Sequence, residues 1–597
     1  MCGIVGYVGK KNCIPILIDG LKNLEYRGYD SAGIAFLDDN QIKVIKKQGR
    51  LVNLEESINN KYYSNLGIGH TRWATHGVTN EVNAHPHHVG DITLIHNGII
   101  ENYEELRNEL INHGYQIDTE NDTKIACAYI DYLYKNNHDM LKTLSMLKEK
   151  FKGSYALGIL VNGSDKLYAI RKDSPLIIGV SNDGNYIASD VFAILNETNK
   201  YIVLDNNEVV ILDNKVNVYN NGVLVDKKIL TFNHKADEIT KNGYSHFMLK
   251  EIHEQDNLAK KLIDMYLENK DTIINKMPCF DKYEKIDIVA CGSAYHAGMI
   301  GKSLIEEYGD IPVSVNLASE YRYKKLFLND KTLVIAISQS GETADTLASV
   351  NIARQNNADT LGIVNVALSS IARVCDNVLY TNAGPEIAVA TTKAYSMQVL
   401  MLTLIALNIG VSKNLIDKDK LDYIINNYRL LPSKIKEEIN KNYSDIAKQI
   451  YNKNDIFFIG RNVDYALAME GSLKLKEISY LHAESYAAGE LKHGTISLIE
   501  EGTPVIAIVT DEKIYEKTIS NIKEVKARGA NVILITNDKL DVNGDFYDSK
   551  IVVSNLHNLV NSLITIVPLQ LIAYEVAKMK NLDIDKPRNL AKSVTVE

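Results

Sequence analysis

Thr332-Leu-Val-Ile-Ala-Ile returns almost unchanged as Thr503-Pro-Val-Ile-Ala-Ile, 171 residues further along the chain. Both stretches are apolar and rich in β-branched residues, as expected for buried strands. Three landmarks at a nearly constant offset indicate two copies of one domain rather than chance. The other two pairs, at offsets of 168 and 170 residues, are Ile286–Gly292 with Ile456–Gly460, and Gly362-Ile-Val-Asn with Val532-Ile-Leu-Ile-Thr-Asn.

The duplicated region alternates predicted strands and helices, which is the pattern of βαβ units. Each copy should therefore form a doubly wound parallel sheet, with helices on both faces and its ligand at the carboxyl ends of the strands. We assign residues 245–425 to the first copy, 426–580 to the second and 581–597 to a C-terminal tail.

Residues 1–225 follow a different pattern, with short strands rich in Val, Ile and Tyr and few helices. This pattern predicts an α+β domain in which helices pack on layered sheets. The polar segment 226–244 is interpreted as an interdomain linker, with a surface loop as the alternative. The predicted strands are Cys2–Val8, Ala32–Leu37, Gly67–Thr71, Ile92–His96, Ser154–Val161 and Leu167–Arg171, and predicted helices begin at Pro15 and near Asn102.

Length and composition exclude several classes of protein. A chain of 597 residues with 45% hydrophobic content should form two to four domains. Its net charge of −9 provides no basic patch for nucleic acid. The most apolar stretch, about Met397 to Val411, is too short to span a membrane and predicts a buried helix. The N-terminus also lacks the charged and apolar segments of a secretory signal.

Cysteine and histidine usage gives little support for a metal site. The six cysteines form no Cys-x-x-Cys pair, which favours reduced thiols in the cytoplasm over disulfides or structural zinc. A histidine-rich segment raises a metal site as an alternative, but Ala84-His-Pro-His-His is more typical of a polar loop edge. We expect neither a metal nor another cofactor. The histidines in question are His70, His76, His85, His87 and His88.

Met1-Cys2-Gly3 opens the chain, so removal of the initiator methionine would place a thiol and a free α-amino group on one residue. The amine titrates at about 7.7–8.0 and a free thiol near about 8.5, so the amine is suited to accept the thiol proton at neutral pH. Cys2 is therefore a candidate nucleophile. The alternative is a small residue at the start of an edge strand.

Other segments could serve amide hydrolysis by that thiolate. Asn97 and the backbone N–H of Gly98 follow a predicted strand and could stabilise an oxyanion, although Asn-Gly is also a common hairpin turn. Arg72 could bind a substrate carboxylate with two hydrogen bonds, and Asp122 could accept an ammonium group. Either residue could instead belong to a surface ion pair.

Together these segments resemble the glutaminase domain of N-terminal-nucleophile (Ntn) amidotransferases, which has an αββα fold. The resemblance rests on Cys2-Gly-Ile-Val-Gly, Glu25-Tyr-Arg-Gly-Tyr-Asp-Ser, His70-Thr-Arg-Trp-Ala-Thr-His-Gly, His96-Asn-Gly-Ile-Ile-Glu-Asn and Asn121-Asp-Thr. It implies a nucleophile (Cys2), oxyanion donors (Asn97, Gly98), glutamine-binding residues (Arg27, Arg72, Thr75, His76, Asp122) and a gate for ammonia (Trp73).

Three motifs in the duplicated region offer chemistry. Ser338-Gln-Ser-Gly-Glu-Thr ends a predicted strand before a helix, a geometry that suits an anion such as a sugar phosphate but also suits an ordinary helix cap. Lys474 and Glu477 are three residues apart on a predicted helix and could face one pocket, or form a solvated salt bridge. Lys592 lies in a tail that could be disordered, or could fold back and form a Schiff base.

Over its whole length the chain resembles the glutamine–fructose-6-phosphate aminotransferase (isomerizing) family, whose second half is two sugar-isomerase (SIS) domains. The resemblance implies a homodimer in which His493 enters the neighbouring subunit's site and opens the sugar ring. It also implies that Glu477 moves a proton between C1 and C2, assisted by Lys474, and that Lys592 forms the imine. Implied sugar-phosphate contacts are Ser293, Ser338, Gln339, Ser340, Thr343, Val389 and Ala591.

The implied reaction releases ammonia from glutamine and transfers it to fructose 6-phosphate, giving glucosamine 6-phosphate and glutamate. Ala294 departs from the family pattern, because relatives often carry a hydroxyl there. Alternatives are another Ntn amidotransferase, which would need a diphosphate or nucleotide loop, and an SIS deglycase, which has no use for Cys2. A third is a non-catalytic sugar-phosphate sensor, disfavoured because Glu477, His493 and Lys592 are all present.

Overall fold

The computed structural model describes residues 2–25, 28–59, 61–73, 80–232, 240–268 and 277–595. The chain divides into two compact units. The amino-terminal unit comprises residues 1–239 and 591–597, and the carboxy-terminal unit comprises residues 240–590. Each unit contains its own sheets and hydrophobic cores.

Two sheets with antiparallel strand pairing form the described part of the amino-terminal unit. The larger has the order β15-β11-β9-β10-β1-β4-β2-β3, and the smaller has the order β14-β13-β12-β8-β7-β6-β5. The strands are β1 (Gly3–Gly9), β2 (Ser31–Asp38), β3 (Gln41–Gln48), β4 (Leu66–Arg72), β5 (His87–Val89), β6 (Ile92–Ile100), β7 (Gly153–Val161), β8 (Leu167–Lys172), β9 (Ile177–Val180), β10 (Gly184–Ala188), β11 (Lys200–Val203), β12 (Val209–Leu212), β13 (Val216–Asn220), β14 (Val223–Val225) and β15 (Leu230–Thr231).

Helices cover the outer faces of both sheets, so the layers run helix, sheet, sheet, helix. Along β1, Ile4 and Val8 enter the core between the sheets, whereas Val5 and Tyr7 pack against a helix. Both faces of the strand are buried, which explains why its sequence is apolar throughout. Cys13–Leu24 and Leu51–Ser57 cover the larger sheet, and Tyr103–Asn112, Asp122–Asn137 and Met140–Lys150 cover the smaller one. The αββα prediction is confirmed.

Every predicted strand of this unit has an observed counterpart, namely β1, β2, β4, β6, β7 and β8. The helix expected from Pro15 begins two residues earlier, at Cys13. Strands β3, β5 and β9 to β15 were not predicted; apart from the eight-residue β3, each has only two to five residues, too few to show a clear period. Within the segment predicted as a linker, Leu230–Thr231 pairs with β11, and residues 233–239 lie outside the described part of the chain.

Two parallel five-stranded sheets form the carboxy-terminal unit. Their orders are β17-β16-β18-β19-β20 and β22-β21-β23-β24-β25, so both copies follow the order 2-1-3-4-5. The predicted duplication is confirmed, as is the doubly wound topology. The strands are β16 (Lys285–Ala290), β17 (Val313–Leu317), β18 (Thr332–Ser338), β19 (Asp359–Val364), β20 (Asn377–Tyr380), β21 (Asp455–Gly460), β22 (His482–Ala487), β23 (Pro504–Val509), β24 (Asn531–Asn537) and β25 (Ser549–Val553).

The described helices of this unit connect the parallel strands and join the two copies. They are Phe247–His253, Gln255–Glu268, Ser293–Gly309, Ala318–Tyr321, Ala344–Gln355, Ser370–Val374, Lys393–Ser412, Lys418–Ile439, Ser444–Ile450, Val463–Ser479, Tyr515–Lys526 and Asn558–Met579. Short 3₁₀ segments occur at Val191–Ala193 in the first unit and at Phe280–Lys282, Leu491–His493 and Thr495–Leu498 in the second.

Two of these helices, Lys393–Ser412 and Asn558–Met579, are long and apolar enough to cross a membrane. The structure buries 89% and 94% of their most apolar windows inside the protein. They are therefore core helices that pack on all sides, which explains their apolar composition. The buried helix predicted around Met397 to Val411 is confirmed, but its 20 residues, Lys393–Ser412, make it longer than predicted, so the expectation that it is too short to span a membrane was wrong.

Candidate active sites

Sheet register brings the candidate nucleophile to the end of β4. Gly3 pairs with Thr71 in the antiparallel ladder, so Cys2 lies beside the residues that follow Thr71. The Trp73 backbone N–H donates to the Cys2 sulfur at 3.3 Å. Burial raises the pKa of the Cys2 thiol, whereas the contact with Trp73 and the positive charge of Arg72 act in the opposite direction.

Asn97 and Gly98 approach Cys2 from β6 of the other sheet. The Asn97 Nδ2 group donates to the Cys2 carbonyl oxygen at 3.0 Å, which uses one of its two hydrogens and leaves the other for a substrate oxygen. Gly98 has φ 130°, and a Cβ there would lie 2.0 Å from the Ser154 carbonyl oxygen. Only glycine therefore fits at this position.

His70 fixes the orientation of the Asn97 amide, a contact that sequence reasoning missed. The His70 Nε2 atom lies 3.1 Å from Asn97 Oδ1 and 3.0 Å from the His96 carbonyl oxygen. Both partners are acceptors, so Nε2 carries the proton and Asn97 must turn its NH₂ group toward Cys2. Burial lowers the pKa of His70 to about 3, so the imidazole is neutral at physiological pH.

Two opposite charges flank this centre. Arg72 ends β4 and is almost fully buried. Burial lowers the pKa of its guanidinium, while Cys2, Asp122 and Asp30 favour the charged form. Asp122 begins the helix Asp122–Asn137 and accepts the Ile100 backbone N–H at 3.1 Å. The structure thus brings Cys2, Arg72, Trp73, Asn97, Gly98 and Asp122 together; the predicted Arg27, Thr75 and His76 lie outside the described residues.

Three of the histidines considered as metal ligands, His70, His85 and His87, form a buried cluster, whereas His88 is exposed and His76 lies outside the described residues. The rings of His70 and His85 stack at 4.1 Å between centroids, and His87 contacts His85 edge-on at 4.9 Å. Burial lowers the pKa of all three, so they are neutral. Among the described residues, no group of three or more His, Cys, Asp or Glu side chains is arranged to hold a metal ion.

In the carboxy-terminal unit, the serine-rich turn follows β18 at the edge where the strands' carboxyl ends lie. Ser338 and Thr343 hydroxyls are 2.9 Å apart, and the Gly341 N–H donates to Ser338 Oγ at 3.0 Å. The Glu342 N–H donates to Ser340 Oγ at 3.1 Å. The next helix begins at Ala344, so its N-terminal dipole adds to these donors. Gln339, Ser340 and Thr343 are half-buried, and Ser338 is buried.

Lys474 and Glu477 share a buried pocket with a residue that sequence reasoning missed, Glu470. All three lie on the helix Val463–Ser479, and the Lys474 ammonium contacts Glu477 and, at 3.5 Å, Glu470. Burial alone would lower the pKa of Lys474, but Glu477, Glu470 and Glu386 together raise it. Lys474 and Glu470 are fully buried, so the solvated salt bridge considered from the sequence is excluded.

The segment before Lys592 docks within the carboxy-terminal unit. The Val389 N–H donates to the Asp585 carbonyl oxygen at 3.0 Å, and the Asp585 carboxylate caps the helix Phe247–His253. The Arg588 N–H donates to the Tyr480 hydroxyl at 2.7 Å. Residues 583–590 are therefore ordered by specific contacts, whereas Ala591 and Lys592 are grouped with the amino-terminal unit. His493 is exposed on its 3₁₀ turn.

Comparison with known protein families agrees with this architecture. A glutamine amidotransferase domain matches residues 70–196, and SIS domains match residues 280–408 and 449–579. The SIS matches cover the two parallel sheets. The amidotransferase match covers strands β6 and β7 and the helix that begins with Asp122.

Curated relatives match from end to end. The glutamine–fructose-6-phosphate aminotransferase (isomerizing) of Clostridium acetobutylicum is 48% identical, and that of Methanosarcina acetivorans is 43% identical, each over 100% of both chains. A solved C-terminal domain of glucosamine-fructose-6-phosphate aminotransferase from Francisella tularensis is 37% identical, with a TM-score of 0.55 over 58% of this chain and 99% of that one. This chain therefore belongs to the glutamine–fructose-6-phosphate aminotransferase (isomerizing) family.

Proposed function

We propose that this enzyme hydrolyses glutamine and transfers the ammonia to fructose 6-phosphate, producing glucosamine 6-phosphate and glutamate. The observation that carries the proposal is the convergence of Cys2, Arg72, Asn97 and Asp122 at one end of the sheet sandwich, in a chain that also contains two SIS domains. The first centre is suited to release ammonia and the second to use it.

Glutamine hydrolysis begins at the Cys2 sulfur. After removal of Met1, the α-amine of Cys2 accepts the thiol proton, and the thiolate attacks the side-chain amide carbon of glutamine. Asn97 Nδ2 and the Gly98 N–H stabilise the oxyanion, while Arg72 and Asp122 bind the substrate's carboxylate and ammonium groups. The C–N bond breaks as ammonia leaves with a proton, and water then hydrolyses the thioester to glutamate.

Sugar conversion proceeds at the second centre. The serine-rich turn binds the phosphate, and Lys592 condenses with C2 of the open-chain sugar, releasing water and forming an imine. Ammonia displaces the lysine. Glu477 then removes a proton from C1 while the imine nitrogen gains a proton, which gives an enaminol. Return of the proton from Glu477 to C2, with loss of the proton from the C1 hydroxyl, gives an aldose with an amino group at C2.

Lys592 and Ala591 are assigned to this centre on the family resemblance and on sequence position. Ala591 and Lys592 follow Arg588 by three and four residues. The Arg588 N–H donates to the hydroxyl of Tyr480, and Tyr480 directly follows the helix that carries Lys474. Asp585 is likewise bonded to Val389, which we assign to the sugar pocket.

We further propose a cytoplasmic homodimer in which each His493 serves the partner's sugar site. The exposure of His493 in the single chain agrees with such sharing. Mixing two inactive variants, His493→Ala and Glu477→Ala, tests it, because a mixed dimer would contain one site with both residues intact. Recovery of about a quarter to a half of the wild-type activity supports sharing, and no recovery in verified heterodimers contradicts it.

The overall function is tested by assaying wild type and Cys2→Ala with glutamine and fructose 6-phosphate. Wild type should form glucosamine 6-phosphate. The variant should lose glutamine hydrolysis by at least about 10³-fold while still isomerising fructose 6-phosphate to glucose 6-phosphate. Surviving glutamine hydrolysis, or an intact Met1 in active enzyme by mass spectrometry, would refute the assignment of Cys2.

A further inference from the structure

Glu470 links the two SIS copies at a fully buried position. Its Oε1 atom accepts the Ser293 hydroxyl at 2.8 Å, and its Oε2 atom lies 2.8 Å from His296 Nδ1. Ser293 and His296 lie on the helix Ser293–Gly309 of the first copy, whereas Glu470 and Lys474 lie on the helix Val463–Ser479 of the second. The proposed chemistry gives Glu470 no role.

The contacts of Glu470 with Ser293 and His296 matter because Lys474 is a single positive charge between two carboxylates. Lys474 contacts Glu470 on one side and Glu477 on the other, so one ammonium faces two carboxylates. A buried carboxylate without hydrogen-bond donors is strongly unfavourable. Ser293 and His296 supply those donors to Glu470, so this carboxylate is satisfied without drawing Lys474 away from Glu477.

Two other groups near Glu470 make no hydrogen bond to its carboxylate within the part of the chain that the structure describes. Burial and the negative charge of Glu470 raise the pKa of Tyr395 well above its ordinary value, and its neutral hydroxyl makes no hydrogen bond among the described residues. Glu386 is occupied by the Thr392 and Ala394 backbone N–H groups, both at 3.0 Å. The hydrogen bonds to Glu470 therefore come from Ser293, which contacts Oε1, and from His296, which contacts Oε2.

We propose that Glu470 is a positioning residue that holds the Lys474 ammonium against Glu477, and that Ser293 and His296 of the first SIS copy hold Glu470 in place. Proton transfer in the second copy therefore depends on side chains from the first. This inference rests on the proposed function. It also changes the expectation for Ser293, whose single hydroxyl hydrogen is given to Glu470 and is not available to a phosphate oxygen.

The test uses the full-length enzyme and follows isomerisation of fructose 6-phosphate without glutamine. His296→Leu removes the donor while keeping an apolar side chain of moderate size, and His296→Asn retains an N–H near the position of Nδ1. We expect His296→Leu to lower kcat about tenfold or more, with KM for fructose 6-phosphate within about threefold of wild type. His296→Asn should recover most of that loss.

Ser293→Ala provides a second measurement if His296→Leu does not fold. It removes one donor to Glu470 and should lower kcat by about threefold to tenfold, again with little change in KM. A rise in KM with unchanged kcat would instead mean that Ser293 contacts the phosphate, and would overturn the inference.

A matched control tests whether packing between the copies is responsible. Ser303 also connects the copies, because its hydroxyl donates to Asn462 Oδ1 at 3.0 Å, but this contact does not involve Glu470. Ser303→Ala should retain wild-type kcat. An equal loss in Ser303→Ala and His296→Leu, or no loss in His296→Leu, would overturn the inference.

Failure of the proposed function would look different. If wild type neither isomerises fructose 6-phosphate nor forms glucosamine 6-phosphate, the function itself is wrong. If wild type is active and His296→Leu keeps its kcat, only the positioning role of Glu470 fails. Glutamine hydrolysis, measured in every variant, should stay at the wild-type level because its residues lie in the other unit, and circular dichroism of each variant reports on folding of the mutated unit.

Discussion

The two SIS copies share a strand order but differ in what lies at the point where that order reverses. In each copy, the helix that follows the first strand is preceded by a residue with positive φ: Gly292 with φ 56° before Ser293, and Asn462 with φ 52° before Val463. In open parallel sheets this crevice is where ligands bind. The two copies therefore have similar backbones at this crevice, and they differ in the side chains that lie there.

The second copy fills its crevice with its own carboxylate. Asp464 is buried and accepts both the backbone N–H and the hydroxyl of Thr510, which directly follows the third strand. The first copy has Ala294 at the position of Asp464 and Gln339 at the position of Thr510. The first copy thus has a small, uncharged side chain at the position where the second copy has a buried carboxylate.

We expect the largest effect when the first copy is given, at Ala294, the carboxylate that the second copy has at Asp464. Ala294→Asp should place a negative charge where we propose that the sugar phosphate binds. Because like charges repel, we expect KM for fructose 6-phosphate to rise about 100-fold or more. The measurement is isomerisation kinetics without glutamine.

The control for that substitution is Ala294→Ser, which adds a hydroxyl without charge. It should leave KM within about threefold of wild type or lower it, since a hydroxyl can donate to phosphate. Unchanged KM in Ala294→Asp would show that the phosphate does not bind at this crevice.

A smaller effect on KM should distinguish Thr343 of the first copy from Thr510 of the second. Thr343→Val removes a hydroxyl from the serine-rich turn and should raise KM for fructose 6-phosphate about tenfold, because one donor to the phosphate is lost. Thr510→Val removes the corresponding kind of donor from the second copy, where the Thr510 hydroxyl donates to Asp464, and should leave KM unchanged. Equal effects of the two substitutions on KM would contradict the division of roles between the copies.

Much of this architecture could be predicted from local sequence. The apolar runs at Thr332 and Thr503 recur at a fixed offset, so the parallel sheets and their duplication followed directly. The adjacency of Cys2 and Trp73 depends on the register between β1 and β4, which is set by packing over long sequence distances. From the sequence, the proximity of Cys2 and Trp73 was predicted through the resemblance to Ntn amidotransferases and not from local pattern.

Residues whose role depends on burial were missed. Glu470 lies four residues before Lys474, and this spacing is typical of an ordinary surface pair. Asp464 lies in the first turn of a helix, where acidic residues are common because they interact favourably with the helix dipole. In both cases the sequence shows the spacing, but only the tertiary fold removes the side chain from water.

The smallest predicted effect concerns stability and returns to Asp464. Burial, opposed by hydrogen bonds from Thr510, raises the pKa of Asp464 to about 6 from an ordinary value of 3.8. Between pH 3.8 and about 6, this carboxyl binds more protons in the folded protein than in the unfolded chain. The contribution of Asp464 to stability is therefore greatest below pH 3.8 and is lost as the pH rises through about 6. Asp464→Asn cannot titrate and should therefore gain stability relative to wild type across this range.

We expect Asp464→Asn to unfold about 2–4 °C above wild type at pH 7.5, corresponding to roughly 1 kcal/mol, with the difference shrinking toward pH 4. Subtracting the two thermal midpoints at each pH cancels the titration of the other carboxylates, which both proteins share. Asp545→Asn, at a solvent-exposed aspartate of the same copy, is the matched control and should show no such trend. A difference that instead grows toward low pH would mean that Asp464 stabilises the fold as a charged group. The attraction between its carboxylate and the Thr510 donors would then hold this crevice of the second copy closed.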